Sequence, residues 1–357
     1  MPVQAFRVWV CMPYARTCDS FSQPTAHAPR FFLTNPYLRS LKTSSWYTMI
    51  SRRNIRVKVM QTLYSAETAQ GEMKPGEPLN ILQKHFDQTR GLLVYLVYVL
   101  TEIARYAETD ARKKASKHLP TEADLNINIK LAGNELLWKM LEDPTYQRAL
   151  KEDRPDLQAD QEEIRKLYLE LATTPEYKQY ITEQSRDSKS EKQMLEFILG
   201  TLMLPNENFV ARVEETFTNW DDDCDVINQL ILSWLQKPGA FNFMEIISKD
   251  KLQFARELLQ TVFDKKEITM DLIKPKLKNW DPDRIAVLDM ILMQMGVCEF
   301  LFFETIPPKV TINEYIDLAK EYSTPQSGQF VNGILDNIHK DLLKSDKMHK
   351  VSFVKKK

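Results

Sequence analysis

Glycine is scarce in this chain. There are nine in 357 residues, and no two stand in a G-x-G arrangement. That excludes the dinucleotide and Walker-type phosphate loops, which need closely spaced glycines to bring backbone N–H groups against phosphate. The four cysteines, Cys11, Cys18, Cys224 and Cys298, include no C-x-x-C pair and are too few for a disulfide framework, so a reducing, cytoplasmic setting is expected. The longest unbroken apolar run, residues 92–100 (LLVYLVYVL), falls well short of the ~20 residues that cross a bilayer, and no membrane association is expected. Catalytic patterns are missing too. No serine sits in a nucleophile elbow. His85, His118, His339 and His349 are scattered without a metal-like partner at i+4. Asp221, Asp222, Asp223 and Asp225 lack the glycine turn and later bidentate Glu of a calcium loop, and read as a helix-start loop. No enzyme activity, cofactor or metal is expected.

What is present is a chain 43% hydrophobic and 27% charged, enough for a sizeable core, with net charge −1. Its charge is uneven. Residues 1–48 hold five basic residues, one acid (Asp19), five prolines and nine aromatics without periodicity. Met49 then opens MISRRNIRVKVMQTLYS, a start ordinary enough that 1–48 read as an unstructured or misassigned extension. The remainder carries 43 basic and 48 acidic residues, a net charge of −5.

From residue 49 onward the periodicity is helical, giving an all-α fold class. Leu82, Phe86, Leu93, Leu96, Leu100 and Ile103 recur every three to four positions with no alternating strand pattern. Pro144, Pro155, Pro175, Pro205 and Pro238 mark first turns or stops. DPTYQRAL (143–150) echoes TPEYKQYI (174–181) as two similar helix starts. Asp281-Pro282 supplies a cap for the run 284–303, apolar almost all round and so a central bundle helix. Thr311 with Glu314 forms a capping box for a helix whose Ile312, Ile316 and Ala319 share a face, and Thr324-Pro325 starts the last helix, with Phe330, Ile334, Leu335 and Ile338 inward. The lysine-rich tail 344–357 is expected to be mobile.

The segment Ser51–Lys58 (SRRNIRVK) puts four cations on the first turns of a helix with no acid before Glu67, against the preference of a helix N-terminus for anions. Arg52, Arg53 and Arg56 stand at i, i+1 and i+4, a compact fork able to grip phosphates. A solvated basic helix end is the alternative. In either case these are exposed charges, whose removal is expected to spare the fold.

Two stretches resemble one family. Arg52-Arg53-x-x-Arg56 followed by Gln61-Thr62-Leu63-Tyr64-Ser65, and residues 284–338, with I-P-x-K-V-x-I-N-E-x-I-x-L-A-K (306–320) and F-V-N-G-x-L-D (330–336), are similar to the bacterial antitermination factor NusB. The resemblance implies a non-enzymatic fold of two packed helical subdomains. It implies a chain organised as an arginine-rich first helix (49–74), a helical insertion (75–248), a C-terminal core (249–343) and the tail (344–357). It also implies binding of boxA-like single-stranded ribosomal RNA leaders together with the ribosomal protein NusE, within the RNA polymerase antitermination complex. Carried over residue by residue, Arg52, Arg53, Arg56, Lys58, Gln61 and Tyr64 are the RNA candidates. Tyr64, Asp289, Lys309, Tyr322 and Gln326 are the partner candidates. Gln326, Gly328 and Met290 depart from the family's usual charged residues, which weakens the expectation there. The insertion is expected to make protein contacts, with no basic cluster comparable to 52–58. Two rivals stay open: a helical interaction scaffold without RNA binding, and a domain attached to an RNA cytosine methyltransferase. The chain lacks the P-C nucleophile motif and the glycine-rich loop that the latter needs.

Overall fold

Ser51 begins the first helix. Its side chain accepts a hydrogen bond from the Asn54 amide, and α1 runs Arg52–Thr68 with Ile55, Val59 and Leu63 buried on one face. This structure, a computed structural model, describes residues 50–69, 73–184, 186–277 and 285–351. The expectations for 1–48 and for the Asp281-Pro282 cap lie outside the described residues.

Gly76 enters the left-handed region (φ 85°), which a residue without Cβ adopts cheaply, and turns the chain into α2, Glu77–Ala115. All six apolar positions read from the spacing, Leu82 through Ile103, are buried on it. The short α3 (Glu122–Leu125), α4 (Glu135–Glu142), α5 (Pro144–Asp153), α6 (Gln161–Thr173), α7 (Pro175–Thr182) and α8 (Ser188–Phe197) follow. A π turn at Ile198–Met203 then leads to α9 (Glu207–Thr216) and α10 (Trp220–Gln236). The echoed octapeptides are indeed matching starts. Asp143 caps Thr145 and Tyr146 ahead of Pro144, and Thr174 caps Tyr177 ahead of Pro175. The acidic run 221–225 is helix rather than loop. It forms the first turns of α10, where carboxylates meet the positive end of the helix dipole.

The C-terminal part comprises α11 (Lys249–Asp264), α12 (Lys266–Ile273), α13 (Val287–Phe302), α14 (Pro308–Tyr322) and α15 (Ser327–Lys344). Helix α13 is buried nearly all round, as its composition requires, and packs against α1, α11, α12, α14 and α15. Gly296 makes one of these approaches possible: a Cβ there would lie 2.9 Å from a Leu335 methyl of α15.

Two local expectations fail. Helix α14 starts at Pro308, so Thr311 is an interior residue rather than a cap, and the buried face is Thr311, Tyr315 and Leu318 with Ala319. Ile312 and Ile316 are only half-buried. The helix turns this way because Thr311 and Tyr315 both serve a buried carboxylate on α13. The tail, expected to be mobile, is docked as far as it is described. The Lys350 ammonium donates to the carbonyls of Glu299 and Phe303, and the Val351 amide to Glu304.

All described residues belong to one compact unit with a continuous apolar core. The Tyr146, Trp234, Phe241 and Phe243 rings join α5 to α10 and the loop that follows it. The Ile50 amide donates to Ile246 in that same loop, tying down the entry to α1. Among the described residues, no helix is long and apolar enough to cross a membrane.

Candidate nucleic-acid and partner interface

The basic turn of α1 divides into four different environments. Arg56 is 2% exposed. Its Nε and Nη2 donate to Glu299 of α13 at 2.7 and 3.1 Å, and Nη1 reaches Glu314 at 3.4 Å. Glu299 is itself fully buried and also accepts from Tyr315 (2.8 Å) and Thr311 (2.9 Å). Burial by itself would lower the Arg56 pKa, but Glu299, Tyr315 and Glu314 together outweigh it and hold the guanidinium charged above its ordinary range. Burial and Glu299 push the Tyr315 phenol well up, so it stays a neutral donor.

Lys58 is also 2% exposed and donates to Asp223 of α10 at 2.9 Å. Asp223 takes two more donors, Thr89 of α2 (2.7 Å) and Asn219 (2.6 Å). The fork expected from Arg52, Arg53 and Arg56 is therefore not an open phosphate grip. The helix rotates Arg56 and Lys58 inward, where each neutralises a buried carboxylate.

Arg53 and Arg52 remain at the surface. Arg53 bridges Glu321 at 2.8 Å and Asp317 at 3.9 Å on α14. Arg52 is exposed with its guanidinium 5.3 Å over the Phe254 ring of α11, and among the described residues no carboxylate pairs with it.

Asp222, beside Asp223, gathers two more candidates. It accepts from Gln61 at 2.6 Å and from the Tyr322 hydroxyl at 2.7 Å. Burial and Asp222 raise the Tyr322 pKa. Gln61 and Tyr322 thus meet across α1, α10 and α14, while Tyr64 lies half-buried against the core. Lys309 and Gln326 are exposed at the starts of α14 and α15. Asp289 does not join them on an open face. It is 5% exposed and accepts from Ser327 at 2.7 Å, holding the start of α15 on α13.

The sequence reading missed a second basic run. Arg112, Lys113 and Lys114 end α2, with Lys117 just beyond. Its signal was legible as four cations in six residues, denser than the four in seven of 52–58. Unlike that segment its cations stay outside: Lys113 lies over Tyr106 (5.3 Å), Arg112 and Lys117 pair with Glu108 and Asp124, and Lys114 reaches the buried Asp110.

The described residues form an all-α core built on a buried central helix, with an N-terminal basic helix ion-paired to it. Residues 218–340 match the NusB family. Transcription antitermination protein NusB of Methylacidiphilum infernorum is 36% identical over 126 residues, 33% of this chain and 87% of that protein. NusB of Finegoldia magna is 40% identical over 105 residues, 29% of this chain and 77% of that protein. A solved structure of T. maritima NusB shares 37% identity over 28% of this chain and 72% of its own, with TM-score 0.26. The chain belongs to the NusB family. The match begins at Thr218, just before α10 and inside the segment 75–248 that the motifs alone assigned to an insertion.

Proposed function

We propose that the protein is a transcription antitermination factor that binds boxA-like single-stranded RNA together with the ribosomal protein NusE, for terminator read-through by RNA polymerase. The observation that carries this reading is the NusB family match over residues 218–340, together with antitermination proteins 36% and 40% identical to parts of this chain. The accessible part of α1, Arg52 and Arg53, would supply phosphate contacts. Gln61 and Tyr322, which meet at Asp222, would add polar contacts, with Tyr64, Lys309 and Gln326 as further candidates. Arg56 and Lys58 act one step back, holding α1 on α13 and α10. Asp289 positions the α14–α15 turn that carries Gln326.

With two of the four cations withdrawn, the α1 edge alone offers few phosphate contacts, which favours binding of a short boxA-like strand that is weak until a basic partner adds its own. Filter binding of a boxA-like strand and a scrambled strand, each with and without NusE, tests this. Preference for boxA that strengthens with NusE supports it, and equal binding of both strands in every condition rejects it. The scaffold reading is favoured by the same burial of Arg56 and Lys58, and predicts NusE binding with no RNA binding at all.

A further inference from the structure

The basic run at the end of α2 is more accessible than the basic turn of α1. Arg112 and Lys117 side chains are 81% and 51% exposed, against 2% for Arg56 and Lys58. Cations in the last turn of a helix are favoured by its dipole whether or not anything binds them, so the run alone says little. Its surroundings say more.

The tip of α2 borders a cleft of about 800 Å³. Glu108 lines that cleft and pairs with Arg112 at 3.2 Å. Lys130 and Arg186 come from other segments and line it too. Lys130 donates to the carbonyls of Tyr180 and Glu183 at 2.7 Å, and Arg186 to Gly133, so both are fixed in place. Trp138 also lines the cleft. Its indole N–H donates to the Ala132 carbonyl at 2.9 Å, yet the residue stays 45% exposed. A tethered, half-exposed aromatic ring thus shares the cleft with two cations, Lys130 and Arg186, among the carboxylates of Glu108 and Glu183 and with Arg186 3.8 Å from Glu191, while the α2 cations lie beyond Glu108. An aromatic ring with cations near it is what a single-strand nucleic-acid site uses, where phosphates meet the cations and an unpaired base stacks on the ring.

Resting on the RNA-binding reading above, we infer that the α2 tip and the Trp138 cleft form a second contact site for the same single-stranded RNA. Helix α2 spans about 58 Å at 1.5 Å per residue, and the tip lies roughly 40 Å along it from Thr89, where α2 meets α1 and α10. The site therefore engages only a strand long enough to extend well beyond the α1 edge. A duplex is disfavoured because its bases are already stacked and cannot reach the ring.

The test uses the full chain and two labelled single strands, a short boxA-like one and the same strand lengthened by flanking sequence to bridge both sites. Arg112→Gln/Lys113→Gln/Lys117→Gln should bind the long strand at least tenfold more weakly. Its slope of log affinity against log salt should be shallower by about 2, at some 0.7 per phosphate contact. Binding of the short strand and the melting temperature should be unchanged. Trp138→Ala should weaken the long strand about fivefold or more, the loss of one stacked base. Wild-type affinity and slope for the long strand in the triple variant would overturn the inference while leaving the α1 reading intact. So would polyglutamate that competes as well as RNA of equal charge, since the ring would then contribute nothing. If Arg52→Ala/Arg53→Ala has no effect while the triple variant fails, the α2 site stands and the α1 reading falls. No binding of either strand by the wild type, with or without NusE, rejects both.

Discussion

Arg52 and Arg56 stand one helical turn apart on α1 and do opposite jobs. Arg56 completes a buried cluster with Glu299, Thr311 and Tyr315, whereas Arg52 lies in the open over Phe254. Removing one partner of a buried ion pair strands the other charge in a medium that solvates it poorly. Arg56→Ala should therefore cost about 3–5 kcal/mol in urea unfolding, and Arg52→Ala no more than about 0.5 kcal/mol. Equal, small effects from both would mean that the Glu299 cluster is not formed. The motif that placed both residues in one phosphate grip was legible in the sequence. Which of them faces inward was not, because Glu299 and Glu314 lie some 250 residues away. Asp289 illustrates the same point, since its hydrogen bond to Ser327 can be read only once α13 and α15 are packed.

At the scale of elements, α1, α2 and α10 meet at a polar junction where Lys58, Thr89 and Asn219 surround Asp223. His85 of α2 lies beside it, and burial, with Lys58 next, lowers its pKa below 6.5. A lowered histidine pKa means the unfolded chain takes up the proton more readily. Its contribution to stability is thus fully present above about 6.5 and is lost as pH falls through that value toward the folded pKa. Urea unfolding at pH 7.5 and 5.5 should show a decline that His85→Gln reduces. A decline of the same size in the variant would assign it to other groups. The C-terminal segment makes a second prediction. Lys350 caps two carbonyls at the end of α13, so Lys350→Ala should lower stability by about 1 kcal/mol and lower the melting temperature. Its periodicity-free, lysine-rich sequence gave no hint of docking, because the attachment is to backbone carbonyls exposed by the end of another helix.

For the whole molecule, the charge accessible to RNA differs from the charge counted along the chain. If the α1 edge contacts RNA through Arg52 and Arg53 alone, replacing both with alanine should make the salt slope for a short boxA-like strand shallower by about 1.4, at some 0.7 per contact. An unchanged slope would move that contact elsewhere on the surface. The all-α class, the starts of α5 and α7, the central buried helix and the family membership were determined by the sequence itself. They rest on spacing, caps and runs of matching residues that act over a few turns. The tertiary structure alone decided three things: that half of the first basic cluster is withdrawn into ion pairs, that the tail is docked, and that Glu108 near the end of α2 shares a cleft with a tethered tryptophan. The first two depend on partners distant in the chain, and the cost of burying a charge without such a partner dictates where the Arg56 and Lys58 side chains can go.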